Sequence, residues 1–223
     1  MNVPMKKQIN TDKLYFITHA NDRYSYEESA ELALNNGIRL IQLRMKHCDL
    51  ETVRQTARRL KAKCDSFGAE LIIDDYAEIA AETGALGVHL GQTDEPIGTA
   101  REKLTEGQLI GLTCNTFEQV SKAVETGADY LGVGPYRFTR TKENLSPVLG
   151  LEGYRALVAE CRKYHINIPI YAIGGIGLDD VKGLMEAGVY GIAVSSLILE
   201  APEPEKTIRH LQQEMAKWQN AAH

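Results

Sequence analysis

Several things this sequence lacks narrow what it can be. Its four cysteines, Cys48, Cys64, Cys114 and Cys161, form no CxxC pair. A chain of 223 residues can bury a core without covalent staples, so the cysteines read as reduced thiols and not as a zinc site or a disulfide framework. No apolar run approaches the roughly 18 residues that a bilayer span needs. The opening MNVPMKKQINTDK has no apolar stretch after its lysines, so no signal peptide is expected, and the protein is expected to be soluble and cytoplasmic, with no membrane partner. Positive charge is in deficit: 25 Lys and Arg against 30 Asp and Glu give a net charge of -5, which offers no reason to expect nucleic acid as a partner. A small anionic substrate stays open, because local cations can sit on an acidic protein. No strand is followed by GxGxxG; Gly174-Gly175-Ile176-Gly177 lacks the third glycine and the spacing. No Ser/His/Asp or Cys/His pairing is evident, and no Pro/Gly/Ser-rich linker divides the chain.

What is present is a regular alternation. Apolar residues make up 43% and charged residues 25%, the composition of an ordinary globular protein. Short apolar runs predict strands over Leu14–Thr18, Leu40–Arg44, Glu70–Asp74, Gly87–Leu90, Leu109–Thr113, Tyr130–Gly134, Ile170–Gly174 and Gly191–Ser195. Amphipathic segments between them predict helices near 26–35, 50–66, 76–83, 97–104, 116–126, 151–164, 178–186 and 204–219. Glycines at 37, 127 and 188 supply the left-handed stop that often ends a helix. Strands that are apolar on both faces belong to a covered parallel sheet. Eight of them alternating with eight helices predict an α/β fold, a single (β/α)8 TIM barrel, with a doubly wound open sheet as the alternative. The whole chain, 1–223, is expected to be one domain: an extension over 1–12, the barrel over 14–199, and a helix and tail over 200–223.

The stretch over residues 130–150, YLGVGPYRFTRTKENLSPVLG, stands out. A strand breaks at Gly134-Pro135 and gives way to about a dozen polar residues, an uncommon length for a connection inside a compact domain. Thr139, Arg140, Thr141 and Lys142 concentrate hydroxyls and cations where the chain leaves a strand, a composition suited to phosphate.

A barrel gathers its strand carboxyl ends on one face, and all eight ends here carry polar residues or glycine. Gln42, Arg44 and Lys46 share a parity on an extended segment, giving three donors for a polyanion such as pyrophosphate. Asp75 and Asp94 follow neighbouring strands and are expected to converge. Two convergent carboxylates need a shared proton or a cation, and beside a pyrophosphate the natural cation is Mg²⁺. The competing account of Asp75 is as a cap on the helix that follows it. Gly174-Gly175 and Ser195-Ser196 close strands 7 and 8, the ends that often form a phosphate site in barrels. His89, between Val88 and Leu90, reads more readily as a packed core residue than as a catalyst, and no role is read for His19. The strand ends therefore offer two anion pockets, one with Arg44, Lys46 and a metal and one with Gly175 and Ser196, and the Thr139–Lys142 segment is expected to close over both. They suit two phosphorylated small molecules, one of them a diphosphate.

In order along the chain, QLRMK (Gln42 to Lys46), Asp74-Asp75, HLGQTD (His89 to Asp94), GPYRFTRTK (Gly134 to Lys142), AIGGI and the final serine pair resemble the thiamine phosphate synthase (thiamine-phosphate pyrophosphorylase) family. The resemblance spans about Leu14 to Leu199. It implies a Mg²⁺-dependent transferase on a (β/α)8 barrel. That enzyme joins hydroxymethylpyrimidine diphosphate to a thiazole phosphate and releases thiamine phosphate and pyrophosphate. It further implies that Gln42, Arg44, Lys46, Asp74, Thr113 and Lys142 hold the pyrimidine diphosphate, with Lys142, Arg44 and Lys46 assisting its departure. Asp75 and Asp94 would bind Mg²⁺, and Thr139, Thr141, Gly175, Ser195 and Ser196 would hold the thiazole phosphate. Three residues depart from the family pattern. Met45 replaces a Glu of opposite parity to the donors. Asp74 replaces an Asn, and an ionised Asp cannot donate as an amide does. Thr113 replaces a Ser and keeps the hydroxyl. The rival readings are a thiazole tautomerase on the same barrel, which has little use for a diphosphate clamp, and a non-catalytic sensor of thiamine phosphate. The sequence is compatible with a homo-oligomer but does not specify one.

Overall fold

The computed structural model describes residues 12–138 and 147–218. Its strands are Leu14–Ile17 (β1), Leu40–Leu43 (β2), Glu70–Asp74 (β3), Gly87–Leu90 (β4), Leu109–Cys114 (β5), Tyr130–Val133 (β6), Ile170–Ile173 (β7) and Gly191–Val194 (β8). Each pairs in parallel with the next, and β1 pairs with β8 through Leu14↔Ile192 and Phe16↔Val194, so the sheet closes. This is the (β/α)8 barrel that the alternation predicts. The helices are Tyr26–Asn35 (α1), Leu50–Ser66 (α2), Ala77–Thr83 (α3), Ile97–Lys103 (α4), Phe117–Thr126 (α5), Gly150–Lys163 (α6), Asp180–Ala187 (α7), Ser196–Leu199 (α8) and Pro204–Ala216 (α9). The short α8 is not among the helices predicted from sequence; four residues are barely one turn and show no period. No helix among the described residues is long and apolar enough to cross a membrane.

Local chemistry explains the boundaries. Ser25 and Glu28 form a reciprocal capping box at the start of α1. Asp49 and Thr116 cap α2 and α5 by accepting from Thr52 and Gln119 backbone N–H groups. Gly37, Gly127 and Gly188 take φ of 88°, 92° and 99°, the left-handed stops expected of them.

Strand residues alternate between two apolar regions. One set, including Phe16, Ile41, Leu71, Val88, Ile110, Leu131, Ala172 and Ile192, packs outward against the helices. The other fills the barrel: Tyr15, Ile17, Leu40, Ile72, Leu109, Tyr130, Tyr171 and Ala193. Three tyrosine rings meet edge to face at its centre, with centroids 5.3 to 6.2 Å apart. Such contacts add about 0.5–1.5 kcal/mol per pair beyond area burial. Glycines yield the space. Gly111 lies opposite Tyr130 in register, and a Cβ there would fall 2.1 Å from the Tyr130 ring and 2.5 Å from His89 Nδ1.

Gly111→Ala should therefore overpack the barrel and destabilise it by about 1–3 kcal/mol. Gly98→Ala, in the first turn of α4 with nothing within 4 Å of the new methyl, should stabilise by up to about 1 kcal/mol. Urea denaturation of the two variants checks the contrast; a harmless Gly111→Ala would mean that the interior is not close-packed at Tyr130.

Candidate active site

At the carboxyl ends of the strands an open cavity is lined by Thr18, His19, Gln42, Arg44, Asp74, His89, Thr113, Gly174, Gly175, Ser195 and Ser196, among others. The structure thus brings together most of the residues selected from sequence. Lys46 and Asp75 do not line the cavity but stand beside Asp74, and Asp94 neighbours Asp75. Thr139, Thr141 and Lys142 lie outside the described residues.

On the β2–β4 side, charge is concentrated. Gln42 and Arg44 face inward and Met45 is buried among the outer core, as their parity requires. Arg44 and Lys46 do not simply repel one another across an empty site. The Arg44 Nε lies 3.6 Å and the Lys46 Nζ 3.2 Å from the same Asp74 oxygen, and Lys46 also pairs closely with Asp75. Burial alone would pull the Lys46 ammonium below its ordinary value; the Asp74 and Asp75 carboxylates outweigh it and hold the pKa higher. Asp74 is nearly buried, and its Oδ2 has ion-pair neighbours but no hydrogen-bond partner among the described residues. Desolvation first, and the Asp75 carboxylate second, push its pKa up to about 7 against the opposing pull of Lys46 and Arg44. The Asp74 carboxyl therefore keeps its proton to a higher pH than an ordinary Asp does.

Asp75 takes φ of 67°, a conformation that Asp tolerates better than most residues, and its N–H donates to the His89 carbonyl at 2.8 Å. This bend gives its carboxylate to Lys46. The α3 N-cap position is occupied by Tyr76, with no side-chain cap, so helix capping is not the role of Asp75. Asp94 accepts from Gly91 N–H at 2.6 Å. Its pKa is raised, by burial first and then by the Asp75 carboxylate, which lies within hydrogen-bonding reach of it. The two acids therefore converge as their strand positions suggest.

The β7–β8 side is different in kind. Gly174 and Gly175 take φ of 90° and 70°. A Cβ on Gly175 would lie 2.9–3.0 Å from Arg137 and from the Phe138 carbonyl, so only glycine fits this turn against the segment leaving β6. Arg137 N–H donates to the Gly174 carbonyl, and Asp180 accepts from Arg137, Tyr136 and the Gly177 N–H, locking the two segments together. Sequence reasoning passed over Asp180, although its place three residues after Gly177 is a signal for such a turn. Ser196 and Leu197 head α8, so their N–H groups precede its first internal bond, Ile198 N–H to Ser195 O at 3.0 Å. The Ser195 hydroxyl is buried without a partner among the described residues. Backbone donors and a waiting hydroxyl make a neutral cradle for a monoester-like anion.

His89 is both a buried residue and part of the cavity wall, with Nδ1 at 3.1 Å from the Tyr130 hydroxyl and Nε2 at 3.0 Å from Thr113 Oγ1.

A sequence-family model described as thiamine monophosphate synthase matches residues 14–198. The chain belongs to that family. Thiamine-phosphate synthases of Bacteroides fragilis and Bacteroides thetaiotaomicron are 53% and 50% identical to it over 199 and 198 residues. Both alignments take in 89% of this chain, and 98% and 95% of the relatives. A solved thiamine phosphate pyrophosphorylase from Pyrococcus furiosus superposes with a TM-score of 0.78 at 32% identity, covering 92% of this chain and 95% of its own. Membership of the thiamine monophosphate synthase family thus rests on agreement along nearly the whole barrel.

The Asp74 environment has a checkable consequence. Its folded pKa lies above the unfolded value of 3.8, so between about pH 4 and about pH 7 the native state holds an extra proton. The contribution of this group to stability therefore falls as pH rises through that window. In metal-free buffer, Asp74→Asn should melt at nearly the wild-type temperature near pH 4 and several degrees higher near pH 8. Parallel melting curves across this range would mean that Asp74 is not held as a strained acid.

Proposed function

We propose that this chain catalyses the family reaction, joining 4-amino-2-methyl-5-hydroxymethylpyrimidine diphosphate to 4-methyl-5-(2-phosphooxyethyl)thiazole to give thiamine phosphate and pyrophosphate. The observation that carries the reading is that Arg44 and Asp74 on one side and Gly175, Ser195 and Ser196 on the other line one cavity inside a barrel of this family. Arg44 and Lys46 hold the diphosphate by charge-assisted hydrogen bonds, and Gln42, Asp74 and Thr113 face the pyrimidine from the cavity floor. Gly175, Ser195 and Ser196 hold the thiazole phosphate, with Thr139 and Thr141 assigned to the same task. In this reading the bond from the pyrimidine methylene to the diphosphate breaks first, and the thiazole nitrogen then attacks that carbon. The chain supplies no nucleophile. Its task is to orient the two reactants, withdraw the leaving group and keep water out. Lys142 is assigned to the leaving group along with Arg44 and Lys46.

Asp75 and Asp94 fit a divalent cation. They are two converging acids, one with a raised pKa, beside a Lys46 ammonium that takes a cation's place between Asp74 and Asp75. Among the described residues no group of three or more His, Cys, Asp or Glu is placed to bind a metal. A pair suits Mg²⁺, whose shell is completed by phosphate oxygens and water, and which would neutralise charge on the departing diphosphate. A cation held by Asp75 and Asp94 would take over the charge that Lys46 now balances and would leave Lys46 for the diphosphate, so metal and pyrophosphate binding would be mutually dependent.

Calorimetric titration of pyrophosphate with and without Mg²⁺ tests this directly. Each should strengthen the binding of the other by the same factor, and Asp75→Asn or Asp94→Asn should remove most of that coupling. Equal affinity in EDTA would rule out the metal pair.

Steady-state kinetics with the two purified substrates test the division of the cavity. Ser196→Asp should raise KM for the thiazole phosphate at least about tenfold through like-charge repulsion, with little change for the pyrimidine diphosphate. Equal effects would reverse or dissolve the assignment, and absence of thiamine phosphate from the wild-type assay would defeat the function itself.

A further inference from the structure

Beneath the cavity floor, a chain of hydrogen bonds crosses five strands. Gln42 Nε2 donates to the Tyr15 hydroxyl at 2.8 Å. The Tyr15 and Tyr130 hydroxyls are 3.1 Å apart. Tyr130 is 3.1 Å from His89 Nδ1, and His89 Nε2 is 3.0 Å from Thr113 Oγ1. Tyr15, Gln42, His89 and Tyr130 are all buried, between 0% and 6% exposed. Burial also pushes both phenols well above their ordinary pKa, so each hydroxyl keeps its proton and has one to give.

We infer that Tyr15, Tyr130 and His89 are positioning residues, whose linked hydrogen bonds fix an acceptor on Gln42 and a donor on Thr113 as the two polar groups offered to the pyrimidine ring. The direction follows from proton counting. An amide nitrogen can only donate, so Tyr15 accepts from Gln42 and passes its own proton to Tyr130. Tyr130 then donates to His89 Nδ1, which must be unprotonated, and the imidazole carries its proton on Nε2. Nε2–H donates to Thr113 Oγ1, and the Thr113 hydroxyl proton is left to point into the cavity. At the other end, the Gln42 Oε1 is the amide atom turned away from Tyr15. An acceptor on β2 and a donor on β5, both lining the one cavity, suit a ring that carries an exocyclic amino group and a ring nitrogen, an aminopyrimidine. A relay running in the opposite direction would offer the reverse pattern and reject that edge. The assignment of the pyrimidine to this floor rests on the proposed function; the direction of the relay does not.

The direction can be read without substrate. In protein labelled with ¹⁵N-histidine, near pH 8, long-range ¹H–¹⁵N correlation should show His89 as the neutral Nε2–H tautomer, its signals identified by their loss in His89→Gln. An Nδ1–H tautomer or an imidazolium would overturn the inference. Tyr130→Phe removes the donor to Nδ1, so the His89 signals should move toward a tautomer mixture. KM for the pyrimidine diphosphate should rise about tenfold, the scale of one buried hydrogen bond, while that for the thiazole phosphate stays within about twofold. Tyr15→Phe, which keeps the Tyr130–His89 bond, should raise the same KM without moving the tautomer. Equal changes in both Michaelis constants, or none, in correctly folded variants would reduce the tyrosines to packing. A protein that shows the tautomer but forms no thiamine phosphate would keep the relay and lose the proposed function.

Discussion

Closure of the barrel between β1 and β8 is the constraint on which the rest of the structure depends. Once eight parallel strands close, their carboxyl ends share one rim and alternate residues of very short strands must fill the interior. Three tyrosines are the largest of the side chains that fill it, and glycines opposite them give way. A tyrosine interior brings hydroxyls into a dry space where each must find a partner. Gln42 and His89 provide them for Tyr15 and Tyr130, while Tyr171 donates to the Asp12 carbonyl, so on one side the core ends in polar atoms directly under the cavity. Leucine and valine would have packed the same volume, but with nothing to hand upward to a ligand.

The second constraint is electrostatic. Arg44, Lys46, Asp74, Asp75 and Asp94 crowd the β2–β4 rim, with Asp74 nearly buried. Buried ion pairs of this sort are weak sources of stability, because desolvation offsets most of the attraction, and the raised Asp74 pKa shows that here desolvation and the Asp75 charge outweigh it. In the function proposed here, the cluster is a balanced set of charges that a metal and a polyanion would divide between them. Neither partner alone would leave the remaining charges satisfied.

Much of this was legible in the sequence, for reasons that can be named. Doubly covered strands are continuous apolar runs, so all eight were placed to within a residue at either end, while α8 was too short to carry a period. Parity put Gln42 and Arg44 inside and Met45 outside. Parity could not show that Asp74 and Asp75 neutralise Arg44 and Lys46, because that depends on the spacing between β2 and β3 and on the left-handed bend at Asp75. Nor could it separate a capping from a ligating Asp75. The tyrosine–histidine chain was hidden for a similar reason. Tyr15, His89 and Tyr130 are far apart in sequence, and each reads singly as a core residue. Asp180 was missed because a lone acid at a helix start looks like an ordinary cap, whereas its partners, Tyr136 and Arg137, come from the segment after β6.

In the proposed function the two sides of the cavity would meet an anion differently, and the difference has a physical logic. Charged side chains with their own counter-ions, as on the β2–β4 side, bind strongly only when the counter-ions are taken up by something else. Such a site favours a highly charged ligand that arrives with a cation and loses its hold when the cation leaves. Backbone N–H groups at Gly175 and Ser196 are fixed, neutral and unable to repel one another, so the β7–β8 side can accept a less charged group without any accompanying ion. Asp180 keeps that cradle rigid by tying the glycine turn to Tyr136 and Arg137. Discrimination between two phosphorylated ligands then needs no difference in cavity shape. On the proposed assignment it would follow from placing exchangeable charge on one side of the barrel mouth and fixed dipoles on the other.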